Sequence, residues 1–127
     1  MKIQLTPQES EQFFHDSLCN GLNEFCMYDI EIDFDRDEYK KSKQNTVSEY
    51  DTVCFEEVLM QMLRDGYKIK AIDHNEDEVY EIGLKEVHER VQNSSPNHLL
   101  DMINEDGDAI TADVILQQVF LNEHRYA

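Results

Sequence analysis

The 127-residue chain has few glycines and few basic residues, and both shortages exclude classes of function. Four glycines leave little material for phosphate-binding loops, and neither Gly-x-Gly-x-x-Gly nor the Walker pattern occurs. Eleven lysines and arginines stand against 28 aspartates and glutamates, a formal net charge of −17. Because nucleic acids and anionic membranes are bound by cationic surfaces, we expect neither as a direct partner.

Long apolar runs and paired cysteines are also lacking. No apolar stretch approaches the roughly 20 residues that a membrane-spanning helix needs, and the first ten residues have no signal-peptide core. Cys19, Cys26 and Cys54 are odd in number and form no Cys-x-x-Cys pair, which is typical of a reducing compartment. We therefore expect a soluble, cytoplasmic protein with three buried thiols.

Recognisable catalytic motifs are missing too. His-Glu-x-x-His and Gly-x-Ser-x-Gly do not occur, and with 28 acids no single pair stands out as hydrolytic. Cys54 is expected in the first turn of a helix, where the helix dipole lowers a thiol pKa. The adjacent Glu56 and Glu57 act in the opposite direction. An enzyme is therefore the less favoured interpretation, with no catalytic residue assigned.

Two kinds of metal site are only partly matched by the sequence. His15 and Cys19 lie four apart and could share a helix face, with the other two cysteines completing a zinc site, but the spacing fits no standard zinc motif. Two acidic runs, starting at Asp33 and Asp73, fill the first, third and fifth positions of an EF-hand loop. Both lack its glycine and its final glutamate. We expect no metal and no cofactor.

The most distinctive stretch is residues 27–38, in which apolar and acidic residues alternate. Successive side chains of an extended chain point to opposite faces, so the alternation predicts a strand with one apolar and one acidic face. The acidic face would carry Asp29, Glu31, Asp33, Asp35 and Asp37. Neighbours on it, roughly 6.8 Å apart, repel by roughly 0.6 kcal/mol in water before screening. Lysines of the same chain or a cationic partner would relieve this repulsion.

The elements around this stretch can be placed from their caps and periodicity. A capping box at residues 6–9 starts a first helix, which Gly21 is expected to end. The polar residues 39–45 predict a loop or the exposed return of a hairpin. Asp51 or Thr52 is expected to cap a second helix, because apolar residues then recur at helical spacing.

A β-hairpin is predicted next, with strands at residues 67–73 and 79–82. If its first strand lies beside residues 27–38, Lys68 and Lys70 could stand opposite the acids there. Each opposite-charge pair across strands is worth roughly 0.2–1 kcal/mol. Two lysines cannot match five carboxylates, so this explanation of the acidic face is incomplete.

Three further helices should follow, starting near Leu84, at Ser95 and at Thr111. The last is apolar on more than one face, which indicates either the central core element or a self-association surface. Under the second interpretation, the contact between the two chains of a homodimer would be formed by Ile115, Val119 and Phe120. The chain as a whole predicts a single α+β domain, residues 1–127, with a small, mainly antiparallel sheet packed by four to five helices.

Three segments, residues 52–59, 98–105 and 111–120, resemble small acidic proteins of unassigned function carried by bacteriophages and related mobile elements. The resemblance covers about the C-terminal two thirds of the chain. It implies a phage or mobile-element setting and no reaction, since the shared features are apolar helix faces and caps. Any amphipathic helix with such caps would look alike.

Three functions are open at this point. The leading hypothesis is a non-enzymatic protein whose acidic face binds a basic surface of a partner protein. The second is the binding of a small molecule or nucleotide signal through Arg64, Lys68 and Lys70, and the third is a metal-assisted enzyme using the strand carboxylates. The alternative to all three is an acidic surface that only keeps the protein in solution.

Overall fold

The alternating stretch forms a strand only at its centre. In the computed structural model, which describes residues 3–48 and 52–126, strand β1 spans Ile30–Asp33. It pairs with β2 (Ile69–Asp73), and β2 pairs with β3 (Glu78–Ile82), giving an antiparallel sheet of order β1-β2-β3. The predicted hairpin is therefore confirmed. Its first strand lies beside the acidic stretch, which is the arrangement that would let Lys68 and Lys70 stand opposite the acids.

Six α-helices lie within the described ranges: α1 (Pro7–Cys26), α2 (Arg36–Asn45), α3 (Phe55–Arg64), α4 (Leu84–Arg90), α5 (Pro96–Ile103) and α6 (Ala109–Phe120). One face of the sheet is apolar and joins the buried core, while its other face is open to solvent. The α+β class is confirmed, with one helix more than expected. None of the helices in the described ranges combines the length and the apolar character needed to cross a bilayer.

The additional helix is α2, which replaces the predicted loop or hairpin arm at residues 39–45. Asp35 caps it, and one carboxylate oxygen of Asp35 accepts hydrogen bonds from the backbone N–H groups of Asp37 at 2.9 Å and Glu38 at 3.0 Å. Acids in the first helical turn are stabilised by the helix dipole. The expectation of an extended chain over residues 27–38 is thus wrong on both sides of β1. Residues 27–29 form a turn after α1, and the acids beyond residue 33 start a helix.

Replacing Asp35 by alanine should lower the free energy of unfolding by about 1 kcal/mol, since two backbone donors lose their acceptor. Urea denaturation would measure the loss. Asp35→Asn is the matched control, because its amide oxygen still accepts from the backbone and most of the stability should return. An Asp35→Ala variant as stable as the parent protein would contradict the cap.

The core is centred on the crossing of α1 and α6. Gly21, expected to end the first helix, lies inside α1, which continues to Cys26. A Cβ at Gly21 would lie 2.6 Å from Ala112 Cβ and 2.7 Å from Asp113 N, so the two helices touch there at backbone distance. The glycine serves close packing instead of helix termination.

Helix α6 is the central core element, the first of its two interpretations. Ile115, Val119 and Phe120 have no exposed surface, and the Phe120 ring stacks on Phe25 with centroids 5.3 Å apart. Side chains buried in this way cannot contact a second chain, so the self-association surface proposed for them is wrong for this fold.

Two predicted helix caps also need correction. Helix α3 is capped at Cys54, whose backbone N–H donates to Glu57 Oε1 at 3.2 Å, and not at Thr52; the other candidate, Asp51, lies outside the described residues. Helix α6 is capped by Asp108, whose carboxylate accepts from Thr111 N at 2.9 Å. Helix α3 thus begins later in the chain than expected, and helix α6 begins earlier.

Candidate functional site

The five carboxylates assigned to one acidic face are spread over three local structures. Asp29 lies in a turn before β1 with a left-handed φ of 61°, and Glu31 and Asp33 lie on the solvent-facing side of β1. Asp35 and Asp37 belong to the start of α2. All five side chains are exposed, as expected, but only Glu31 and Asp33 share the face of a strand, so the prediction of one acidic strand face is wrong for the other three.

Four of these five acids have no ion pair with any residue that the structure describes; the exception is Glu31, whose Oε1 lies 3.3 Å from His74 Nε2. Asp33 stands directly opposite Lys70 in the β1–β2 register. No nitrogen–oxygen distance between Lys70 and a described carboxylate falls within ion-pair range, and the exposed Lys68 lies 3.9 Å from Glu81. Such contacts contribute little in solvent, so the lysines compensate the acids only weakly.

The start of α2, β1 and the hairpin enclose a cleft of about 600 Å³, here called the acidic cleft. Its charged lining residues are Asp33, Asp35, Glu38, Glu81, Lys68 and Lys70. Among the described residues, four carboxylates and two ammonium groups line the cleft, which leaves a formal excess of two negative charges. The cleft therefore favours a cationic ligand over an anionic one.

Aromatic residues line the cleft beside these charges. Phe34 and Tyr67 line the cleft. The Phe34 ring stacks on the Tyr39 ring with centroids 5.0 Å apart, and its centroid lies 5.6 Å from that of Phe55. The faces of aromatic rings attract cations. The site thus offers both carboxylates and ring surface to a basic side chain.

Of the acids in the cleft, Glu81 on β3 was missed by the sequence prediction, and so was Glu38. Glu38 follows Asp35 by three residues, a spacing that places two side chains on the same side of a helix. The spacing becomes informative only when residues 36–45 are recognised as helical. The alternating pattern of residues 27–38 predicted a strand there instead of a helix.

The three bases proposed for a small-molecule site do not converge. Arg64 Nε pairs with Glu11 Oε1 at 2.9 Å, away from the acidic cleft, whereas Lys68 and Lys70 lie among the cleft carboxylates. A phosphate group entering there would meet more negative than positive charge. This geometry does not favour the nucleotide-binding hypothesis.

A second cleft, of about 570 Å³, brings together His15, Cys19 and Cys54. These were three of the four residues considered for zinc. Within residues 3–48 and 52–126, however, no three His, Cys, Asp or Glu side chains are arranged to hold a metal ion. The geometry supports neither the zinc site nor a metal bound by the strand carboxylates.

The cysteines are more exposed than expected, because Cys19 and Cys54 reach solvent and Cys26 is half-buried. The prediction of three buried thiols is therefore wrong. Although Cys19 is partly open to solvent, burial of the rest of its side chain and the carboxylates of Glu56 and Asp16 raise its pKa to about 11. A hydrogen bond to Glu57 raises the pKa of Cys54, so neither thiol is an activated nucleophile near neutral pH.

Comparison of the chain with known protein families, with characterised proteins and with solved structures finds no match.

Proposed function

We propose that this chain is a non-enzymatic, cytoplasmic interaction protein of phage or mobile-element origin, and that its acidic cleft binds a basic surface of a partner protein. The observation that carries the proposal is the excess of carboxylates over ammonium groups in the cleft. The three unpaired cysteines agree with a reducing compartment.

The charge of the whole molecule supports the same partner. A formal net charge of −17 attracts a cationic surface over distances near the Debye length, about 8 Å at physiological salt. This attraction accelerates encounter, and the cleft then selects among cationic surfaces. Affinity for the partner should consequently fall as salt is added.

The partner surface is a basic patch of ordinary charge density. It is not a complete binding site for duplex DNA. Duplex DNA presents one charge per roughly 1.7 Å of axis. Glu31 and Asp33, two residues apart on β1, are separated by roughly 6.8 Å. Acids between residues 73 and 81 would have to fill the gaps, and the innermost of them, Asp73, is buried. Electrostatic complementarity is thus favoured over mimicry of DNA.

A labelled oligolysine peptide tests the cleft directly. The triple variant Asp33→Asn, Glu38→Gln and Glu81→Gln should bind it about tenfold more weakly than the parent protein, since about 1.4 kcal/mol of attraction is lost. Fluorescence anisotropy at low salt would measure the difference, and the parent's own affinity should drop on raising the salt. Asp35 is left intact because its loss would also destabilise α2.

The matched control removes the same charge elsewhere. Glu76, Glu105 and Asp106 are exposed and lie outside the acidic cleft, so changing them to Gln, Gln and Asn should alter the affinity much less. Equal weakening by both triple variants would show that only net charge matters. An affinity that does not respond to salt would also reject the proposal.

A further inference from the structure

A smaller pocket lies on another side of the molecule, where α1, α5 and α6 meet the C-terminal residues. Its volume is about 280 Å³, slightly below the usual range of ligand pockets, about 300–1,000 Å³. The apolar part of its wall includes Ile110, Val114, Tyr28 and Tyr126. Ile110 is 68% exposed, and the two tyrosine rings stack with centroids 5.2 Å apart. We call this the Asp113 pocket, after the carboxylate in its wall.

Asp113 is 4% exposed and uses only one of its two oxygens. Oδ2 accepts hydrogen bonds from the Tyr28 hydroxyl at 3.0 Å and from Gln117 Nε2 at 3.1 Å. Oδ1 is buried and has no hydrogen-bond partner among the described residues. An unsatisfied oxygen of a buried carboxylate costs free energy, so a donor that reached Oδ1 would be bound favourably.

The charges around Asp113 favour a positively charged donor. No lysine or arginine among the described residues lines the pocket, and Glu24 from α1 adds a second carboxylate. His98, on α5, bonds through Nδ1 to Thr111 Oγ1 at 3.0 Å, and His124 follows α6. Of the residues in the wall that the structure describes, a histidine in its protonated form could therefore supply a positive charge.

We propose that the Asp113 pocket binds a small organic ammonium ion with an apolar body. A rotation of the Asp113 side chain brings Oδ1, which is buried in the unliganded protein, to the pocket, where it accepts a hydrogen bond from the ammonium group. The apolar body packs on Ile110, Val114 and the tyrosine rings. This site is separate from the acidic cleft and does not depend on the partner proposed for it. It would give the protein a small-molecule ligand as well as a protein partner.

Cyclohexylmethylammonium and its neutral counterpart cyclohexylmethanol are a suitable pair of probes, followed by ¹H–¹⁵N NMR of the full chain. The ammonium ion should shift the signals of residues around Asp113 and bind at least tenfold more tightly than the alcohol. Methylammonium, which has the charge but no apolar body, measures general attraction to an acidic protein. Equal binding of alcohol and ammonium, or shifts confined to the acidic cleft, would overturn the proposal.

Asp113→Asn should weaken binding of the ammonium probe at least tenfold, whereas Asp106→Asn, a loss of charge outside the pocket, should leave it almost unchanged. A folded Asp113→Asn variant that binds as tightly as the parent protein would reject the site. The acidic-cleft triple variant should bind the probe nearly normally, which separates this site from the proposed function.

If the Asp113→Asn variant does not fold, the site is tested by the pH dependence of ammonium binding to the unaltered protein. Burial raises the pKa of Asp113, and the hydrogen bonds from Tyr28 and Gln117 oppose this shift without reversing it. Binding of the ammonium ion should therefore fall as the pH drops through that raised value. Protonated His124 would compete for Asp113, so the titration is repeated with His124→Gln. Binding that stays constant down to the acid limit of folding would exclude an ionised Asp113.

Discussion

Replacing Arg125 by alanine should lower the free energy of unfolding by about 3 kcal/mol. Arg125 Nη1 lies 2.8 Å from Asp73 Oδ2, and Asp73 has no exposed surface. Removing one partner of a buried ion pair leaves an uncompensated charge, which costs about 3–5 kcal/mol. The lower end applies because the Arg125 side chain keeps 20% exposure. Urea denaturation near neutral pH would measure the loss.

The C-terminal segment is also held by a further contact of Asp73 and by the side chain of Gln117. The Tyr126 hydroxyl donates to Asp73 Oδ2 at 2.7 Å, and the Gln117 side chain accepts from the backbone N–H groups of Arg125 and Tyr126. Tyr126→Phe would remove one hydrogen bond and keep the ring stacked on Tyr28, so it should cost only about 1 kcal/mol.

The effect of Arg125→Ala should depend on pH in a defined direction. Burial by itself would raise the pKa of Asp73, but hydrogen bonds from Tyr126, Asn75 and Arg125 outweigh it and hold the pKa below its usual value. The stabilisation is therefore complete above the unfolded-state pKa, about 3.9, and is lost as the pH falls through the lower folded value. The difference between parent and variant should shrink in that acidic range.

Arg36→Ala is the control for lost positive charge. Arg36 is exposed and makes no ion pair with a residue in the described ranges, so its removal should change stability by less than about 0.5 kcal/mol. Similar losses in the two variants would show that Arg125 acts only through net charge.

Replacing Gly21 by alanine should destabilise the protein by about 3 kcal/mol or more. The added Cβ would approach Ala112 Cβ to 2.6 Å and Asp113 N to 2.7 Å, so α1 and α6 must move apart and their shared core must loosen. In an isolated helix the same change would stabilise by about 1 kcal/mol. The sign of the measured change therefore separates packing from helix propensity.

Gly83→Ala is the corresponding control at a second buried glycine. A Cβ there would lie 3.6 Å from its nearest neighbour, Lys68 Cγ, and the φ of −123° suits any residue. The loss should stay below about 1 kcal/mol, from the poorer helix cap alone. If Gly21→Ala and Gly83→Ala were equally mild in thermal unfolding, the backbone contact of α1 with α6 would be refuted.

The elements that the sequence predicted correctly depend on neighbours in the chain. The capping box of Thr6 and Glu9 starts α1 as expected, with Thr6 Oγ1 accepting from Glu9 N at 3.1 Å. The hairpin of β2 and β3 follows from its own alternation and turn. Such signals act within a few residues, so they can be interpreted without the rest of the fold.

The acidic cleft was only half predictable. The alternation of residues 27–38 does place Asp33 on the open face of β1, where it lines the cleft, but the acids that follow it also suit the first turn of a helix. Local pattern alone does not show whether Asp35 and Asp37 belong to a strand or to the first turn of a helix. The cap of α2 decided between them, and it brought Glu38 into the cleft.

The sequence by itself determined the α+β class, the acidic surface and the hairpin, because periodicity, charge and caps act over short distances. Only the tertiary structure decided what Gly21 and Asp73 do. Gly21 resembles a helix end until α6 packs against it, and Asp73 resembles a surface acid until Arg125 reaches it from 52 residues along the chain. Contacts of that range depend on how the elements pack, and no local pattern encodes them.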